Sequence, residues 1–466
     1  MISIPQYSIN KLIEQIRVGG TSTLTSNSVL TEQAYGGIIP QFGNVYQVIA
    51  NSTGGAIRSS GAFGKVLFQN DSAATPVNNA AVVFDVNTGR LMTTGLNAPT
   101  STFADLGGSN ANQRRGASAL LAGATRNVGI DQIDSSTQVG QATVTLLTTG
   151  DSLNRFVPTS YSSVTDYALL SNKVVSDILF SRPLSFNKSR GTKSDHFITD
   201  KNAYIGYTHN QYGFAGNSVN RNDFYLGTEA GNEILSVGAL FLGSTGSIGS
   251  TYGHSSVDGF GGTGYVRGTL TPDLTLLGSV GYSNYNYTLS RSGLNGTANA
   301  TTSSGSLNTD LGLTYLAFNQ KGYSIQPRLG VSYGNASVKG FQEAGLTQGA
   351  LGISGYNADR LSGQLGAVFA KDVELFSRPL KVALDVGVNE FFTDHKSNMN
   401  ATVLADTSIK FPISSAQNTK VFGFAGLGAN YQLTSSTSVY AKYEANTMNN
   451  NDSISNNATV EFKTSF

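Results

Sequence analysis

From about Tyr204 to its last residue, the chain repeats one pattern: a two-residue alternation over about ten residues, a turn, and a new start. The clearest segment runs from Leu380 to Val388. Leu380, Val382, Leu384, Val386 and Val388 share one face, while Lys381, Ala383, Asp385 and Gly387 share the other. Farther upstream, Tyr323, Ile325, Pro327, Leu329, Val331 and Tyr333 oppose Ser324, Gln326, Arg328, Gly330, Ser332 and Gly334. Leu307, Thr309, Leu311, Leu313 and Tyr315 likewise oppose Asn308, Asp310, Gly312 and Thr314. Side chains of a strand point alternately to its two faces, so each segment reads as a strand with one apolar and one polar or small face. Twelve segments fit, near Tyr204, Phe224, Leu235, Tyr265, Leu276, Leu311, Leu329, Leu365, Leu384, Leu427, Tyr443 and Phe462.

A soluble β-sandwich would carry the same alternation, and two details favour a barrel in lipid. The polar faces hold Gly, Ser, Asn and isolated charges, as suits a wet lumen. The apolar faces end in Tyr207, Tyr282, Tyr315, Tyr333 and Tyr431, as suits an aromatic girdle at the headgroups. An even number of strands closed on itself is the sheet a bilayer tolerates, because an open edge leaves backbone groups unpaired in lipid. The final segment places Ala458, Val460, Phe462, Thr464 and Phe466 on one face and ends the chain on an aromatic. Such an ending suits a last strand that must close on the first.

Composition narrows the function classes. Charged residues are 13% of the chain, against about 25% in soluble domains, and Lys+Arg 30 nearly balances Asp+Glu 29. A net charge of +1 argues against a nucleic-acid partner. With no cysteine, the chain has no disulfide framework, thiolate zinc site or thiol catalysis. The sequence marks out no catalytic set, cofactor site or metal site. It also lacks an apolar run long enough for a transmembrane helix. The first twenty residues lack the apolar core of a secretory signal peptide, although everything downstream reads as exported. The expectation is that Met1 is not the precursor's start, or that an export signal has been removed.

The C-terminal part resembles the translocator domain of bacterial type V autotransporters. The resemblance is carried by Asn202-Ala-Tyr-Ile-Gly-Tyr207, Gly213-Phe-Ala-Gly216, Phe224-Tyr-Leu-Gly-Thr-Glu-Ala-Gly231 and Val237-Gly-Ala-Leu-Phe-Leu-Gly243. Later come Ile325-Gln-Pro-Arg-Leu-Gly-Val-Ser-Tyr333, Gly340-Phe-Gln-Glu-Ala-Gly345 and the terminal Phe466. Thr464 departs from the more apolar residue often found two before the terminal aromatic. The resemblance implies an all-β fold: a twelve-stranded antiparallel outer-membrane β-barrel, an N-terminal pore-spanning α-helix and a β-rich passenger remnant. It also implies a membrane-insertion signal on the last strand, carried by Phe466, Phe462 and Val460. The implied partners are the outer-membrane bilayer, the barrel-assembly machinery and periplasmic chaperones, around a monomeric barrel whose passenger ligand is unknown.

Residues 162–180, SSVTDYALLSNKVVSDILF, read as that helix, within a linker of residues 156–200 that precedes the barrel at 201–466. Ser162 or Ser163 can cap it, and Pro183 follows its end. Val164, Tyr167, Ala168, Ser171, Val174, Val175 and Ile178 recur at three- and four-residue spacing. Asp166, Asn172, Lys173 and Asp177 would be costly in lipid but suit a polar lumen. Some members of the resembled family cut themselves within this helix at an Asn. Asn172 is the sole Asn here, but Lys173 follows it where those members carry Asn or Ala, and the sequence reads against cleavage.

Residues 1–155 would be the passenger, or its proximal part, rich in β structure. Short strand-like runs lie at Val45–Ala50, Lys65–Phe68 and Ala81–Asp85, and a turn at Asn87-Thr-Gly89 precedes Arg90–Met92. A short helix is expected over residues 117–128, and no repeat is visible. Gly150-Asp-Ser-Leu153 matches the nucleophile block of GDSL esterases, but that chemistry needs a histidine, and none precedes His196. His209, His254 and His395 are scattered without metal-ligand spacing. The expected function is a non-enzymatic translocator that anchors and helps export an adhesive or binding passenger to the cell surface. The alternatives are an outer-membrane channel with a periplasmic N-terminal domain, or the C-terminal part of an enzyme-bearing autotransporter.

Overall fold

A computed structural model describes short paired strands between residues 2 and 93, then residues 112–113, 116, 119–120, 137–148 and 152–180. It also describes residues 200–466 apart from 215–216, 233, 395–396, 416–419 and 448–454. Twelve long strands make one closed antiparallel sheet. They are β1 (Asp200–Phe214), β2 (Asn217–Gly231), β3 (Leu235–Ser250), β4 (Gly253–Thr271), β5 (Leu274–Gly293) and β6 (Gly296–Tyr315). The second half is β7 (Tyr323–Val338), β8 (Tyr356–Leu375), β9 (Arg378–Asp394), β10 (Val421–Gln432), β11 (Thr437–Asn446) and β12 (Ser455–Ser465). Each pairs with the next. β12 pairs back onto β1, with Asn202 opposite Ser465 and Gln211 opposite Asn456. Each of the twelve segments marked in the sequence falls in its own strand.

Register explains why this cylinder suits a bilayer. On β5 the outward side chains Leu274, Leu276, Val280 and Tyr282 are followed by Asn284, Asn286 and Thr288. On β6 the outward series from Leu307 to Tyr315 is apolar, and Thr301 and Ser303 lie beyond it. The pairing sets Leu274 opposite Tyr315 and Tyr282 opposite Leu307, so the two apolar stretches coincide in height. β7 continues the band up to Tyr333, with Thr309 opposite Tyr333, and Asn335 and Ser337 stand above it. A band of about nine residues on tilted strands matches the hydrocarbon core. Among the described residues no helix is long and apolar enough to cross a membrane; the strands do so.

Above that band the polarity of the wall inverts. Within it the inward side chains are mostly polar, such as Asn308, Asp310, Arg328 and Asp385, with an apolar group at Leu240, Leu242 and Leu277. Above it they are apolar and buried: Tyr285, Tyr287, Leu289, Ala336, Val338, Tyr356 and Ala358. The upper barrel is therefore built like a soluble protein, wet outside and dry inside. At this end, opposite Phe466, residues 339–355 and 397–415 carry a second, four-stranded sheet. Its strands are Phe341–Gln342, Leu351–Ile353, Asn398–Val403 and Lys410–Ser414. Helices α1 (Gln138–Thr148) and α2 (Ser152–Phe156) share its apolar core.

A 3-10 turn (Thr159–Ser162) leads into α3 (Ser163–Phe180), the expected pore helix. At 1.5 Å per residue its eighteen residues span about 27 Å. Leu169, Leu170 and Asn172 are as buried as the residues that recur at three- and four-residue spacing, as an enclosed helix requires. The lumen wall surrounds the upper half of the helix, and lower down Lys173, Ser176, Asp177 and Phe180 are only partly buried along one side.

In the N-terminal third the strand-like runs are found as Val45–Gln47, Ile49–Asn51, Lys65–Asn70, Val82–Asp85 and Arg90–Thr93. Ile2–Pro5, Val29–Ala34 and Lys65–Asn70 stack in parallel. Ile16–Val18 also stacks on Ile49–Asn51, and Ser22–Leu24 on Ile57–Ser59. Ile2 pairs with Leu30 but Val29 with Lys65, and this unequal spacing hides any repeat from the sequence. Of the helix expected over 117–128, Ala119 and Leu120 are helical and the rest lies outside the described residues.

Leu384 faces outward midway along the apolar row of β9. Leu384→Arg is expected to cost about 2–4 kcal/mol, and Asn335→Arg above the girdle about 0–1 kcal/mol. Urea titration of barrel refolding into lipid vesicles measures both.

Candidate functional site

The site this fold builds is its occupied lumen. α3 lies along the barrel axis and meets the wall differently on its two sides. Val174, Val175, Ile178 and Leu179 pack against Tyr204, Tyr225, Leu240, Leu242, Tyr265 and Leu277 of β1 to β5. Two of those tyrosines turn their hydroxyls onto buried carboxylates, Tyr225 donating to Glu461 at 3.0 Å and Tyr265 to Glu229 at 3.0 Å, and the Tyr204 hydroxyl meets that of Tyr265 at 3.1 Å. At the lower end the Phe180 ring occupies the space that a side chain at residue 312 would need, so Gly312 is what lets the helix end seat there.

The other side of α3 is charged. Lys173 bonds Asp177 one turn on at 2.6 Å and reaches Glu444 of β11 at 3.4 Å. On the wall, Lys442 contacts Glu444 at 2.8 Å and Asp385 at 2.7 Å, and Arg328 closes the chain onto Asp385 at 2.6 Å. The Arg328–Asp385–Lys442–Glu444 chain is neutral in itself, and so is the Lys173–Asp177 pair. Neither half therefore brings an uncompensated charge into the low-dielectric interior.

Higher up, Asp166 accepts from Arg360 of β8 at 2.9 Å, and the guanidinium lies 4.4 Å from the Phe391 ring centroid. Arg221, with 0% exposure, bonds Asp223 at 2.9 Å, donates to the Tyr167 carbonyl at 3.1 Å and to Tyr285 Oη at 2.9 Å. Ser244 also bonds Asp223. Thus Arg221 pins a helix backbone carbonyl to the wall. Asn172 is buried, its Oδ1 has no hydrogen-bond partner among the described residues, and it lines a small cavity of about 50 Å³ beside Lys173, Asp177, Gly334 and Arg360.

At the mouth the 3-10 turn is held by a second set of contacts. Tyr161 donates to Glu343 of the upper sheet at 2.7 Å, and Arg291 of β5 bonds the same carboxylate at 2.6 Å. Burial raises the Tyr161 hydroxyl's pKa well above that of a free phenol, so the group stays a donor. The far end of the barrel holds the terminal strand. Val460, Phe462 and Phe466 all point outward, Phe462 at 50% and Phe466 at 73% exposure. The Phe466 N–H donates to Lys201 O at 3.0 Å.

The sequence had placed Asp166, Asn172, Lys173 and Asp177 on the helix; the structure sets all four against or beside the lumen wall. It had not identified their partners. Arg328 and Asp385 were legible as inward-facing and Glu343 only as part of the Gly340–Gly345 stretch, but nothing in the sequence marked out Arg221, Asp223, Arg291, Arg360, Lys442 or Glu444. Their one sequence signal is a charge on a small-residue face. Gly150 and Asp151 lie outside the described residues, as do His196 and His395, and nothing is described of the Ser152 side chain. His209 Nδ1 meets Asn222 Oδ1 at 2.8 Å.

Residues 201–444, just over half of the chain, match the family described as autotransporter beta-domain. The chain belongs to the autotransporter family. Its barrel is a translocator β-domain, and such barrels sit in the bacterial outer membrane. Among solved structures, the chain resembles the translocator domain of the autotransporter NalP from Neisseria meningitidis at 15% identity and a TM-score of 0.49. That match covers 66% of this chain and 97% of that one. It also resembles the beta domain of the Bordetella autotransporter BrkA, at 14% identity, TM-score 0.44, covering 57% and 100% respectively. For the transport unit of AIDA-I from Escherichia coli the values are 11%, 0.38, 65% and 99%. No curated protein matches the chain.

In this autotransporter Asp385 is the carboxylate shared by Arg328 and Lys442. Asp385→Leu leaves the Arg328 charge buried without its partner and is expected to destabilise the barrel by about 3–5 kcal/mol. Adding Arg328→Met removes the stranded charge and should restore most of that loss. Denaturant midpoints of the two variants, read by the band shift between boiled and unboiled samples, provide the check.

Proposed function

We propose that this autotransporter exports its own N-terminal part and then holds it on the cell surface, as an assembly machine rather than a catalyst. The observation that carries this reading is the single pass of α3 through the lumen. Its C-terminal Phe180 lies against Gly312 within the membrane band, towards the end where β1 begins beside Phe466. Its N-terminal end emerges among the long connections at the opposite end, where Tyr161 contacts Glu343. Residues before the helix therefore leave through that mouth. In the outer membrane, with Phe466 at the periplasmic rim, the mouth faces outward.

The partners follow from the same geometry. The outward row Val460, Phe462 and Phe466 on the closing strand is the surface offered to the barrel-assembly machinery, with periplasmic chaperones delivering the unfolded chain. The displayed part is proposed to be adhesive or binding, built on the parallel-stacked strands of residues 2–70. The polar lumen can pass a hydrated chain and then accept α3.

Protease added to intact cells is expected to digest the N-terminal part and leave a barrel fragment that shifts on boiling. Protection until the outer membrane is opened would place this part in the periplasm and sink the proposal. Removing residues 163–180 should turn a closed barrel into a stable, wide pore in planar bilayers. An intact chain that already conducts to the same extent would favour a channel.

A further inference from the structure

We propose that the hairpin tip joining β8 to β9 is a membrane anchor, and that its outward face binds the headgroup phosphate of an anionic phospholipid. These two strands outrun their neighbours. β7 pairs with β8 only as far as Lys371, opposite Tyr323, and β10 with β9 only as far as Leu380, opposite Tyr431. Beyond those points β8 and β9 have only each other, with Val373 opposite Leu380, Glu374 opposite Pro379 and Leu375 opposite Arg378. A two-stranded hairpin left to itself in water is marginally stable at best. This one also turns its apolar side chains outward. Phe376, at its tip, is 83% exposed, the most of any large apolar side chain among the described residues.

The turn itself is costly. Phe376 and Ser377 both take the left-handed conformation, at φ 51° and 58°. Such a turn matches the twist of a hairpin but favours Asn-Gly, and a bulky residue in that conformation is strained. What Phe376 supplies in its place is a ring that water has no use for.

Height identifies the surroundings. Leu384 lies midway along the apolar row of β9. At about 3.3 Å per residue on a strand tilted about 40°, Arg378 stands about 15 Å below it, at the edge of a hydrocarbon core about 30 Å thick. The tip lies about 5 Å farther out, among the headgroups. The outward row is continuous with the lipid-facing band: Phe369, Lys371, Val373 and Leu375 on β8, and Leu384, Val382, Leu380 and Arg378 on β9. Both charges in that row are cations. Lys371 Nζ lies 3.3 Å from the Tyr323 ring centroid, and Arg378 is exposed. The nearby acids Asp372 and Glu374 fall on the opposite row, where Asp372 meets Lys381 at 3.5 Å. Phe376 and Leu375 thus hold the hairpin in the interface, while the Arg378 fork and the snorkelling Lys371 reach phosphate. A soluble partner would have to dock on a row that is turned towards lipid. In the orientation proposed above this is the periplasmic leaflet; the experiment below is independent of that orientation.

The chain has no tryptophan, so Phe376→Trp makes the tip its own reporter. The full chain is refolded into phosphatidylcholine vesicles, with folding read by the shift on boiling. The introduced tryptophan is expected to emit at shorter wavelength than in the urea-unfolded chain and to be shielded from acrylamide. Brominated phosphatidylglycerol, as a minority lipid, should quench it about fivefold more effectively than the same fraction of brominated phosphatidylcholine. Adding Lys371→Gln and Arg378→Gln should bring that ratio to about one without altering the shift on boiling. Emission as in urea with free access to acrylamide overturns the proposal, and so does equal quenching by the two lipids when both cations are present. Shielding that appears only after a periplasmic extract is added assigns the tip to a protein and overturns it as well. If Phe376→Trp does not refold, Leu375→Trp on the same outward row carries the same test.

Discussion

Everything here depends on a backbone ladder that has no end. In hydrocarbon an unpaired N–H or C=O costs several kcal/mol, so a sheet survives there only if its last strand finds its first. The pairing of β12 with β1, from Asn202 opposite Ser465 to Gln211 opposite Asn456, meets that condition. Closure then dictates the rest: one row of each strand must face lipid and the other a lumen too wide to be filled by its own side chains. The helix, the buried ion pairs and the mouth are all answers to having an interior.

The lumen is packed as an electrostatically balanced interface. Most of its charges are compensated within the wall or within the helix. Arg221 meets Asp223, Arg328 meets Asp385, and Lys173 meets Asp177. The strongest pair that crosses from helix to wall is Asp166 with Arg360. Such bookkeeping leaves neither the wall nor the helix with a large uncompensated charge of its own. Adhesion between them rests more on apolar contact, from Val174 to Leu179 against the tyrosines of β1 to β4, and on Arg221 holding the Tyr167 carbonyl.

Height along the barrel changes the solvent, and the strands change with it. β7 is apolar outward up to Tyr333 and polar outward beyond; inward it passes from Arg328 and Ser332 to Ala336 and Val338. One strand thus serves first as a membrane element and then as part of a water-soluble core. The mouth sheet, α1, α2 and the 3-10 turn complete that core. The upper barrel is stabilised by ordinary hydrophobic burial; lower down that burial is confined to the cluster between α3 and the wall, because lipid already satisfies the outer apolar surface.

The sequence by itself determined the strands, their number and which face of each meets lipid, because a period of two is written locally and a bilayer reads it locally. It also determined the pore helix and the charges it carries, Asp166, Lys173 and Asp177, since a charged, capped run of that length between barrel and passenger has few other uses. Only the tertiary structure decided which charge meets which. Arg360 lies 194 residues from Asp166, and Glu444 lies 271 from Lys173, and no local period encodes such partners. The mouth sheet was equally illegible, for its strands are short and share their core with the distant Leu120, Leu146, Phe156 and Tyr161.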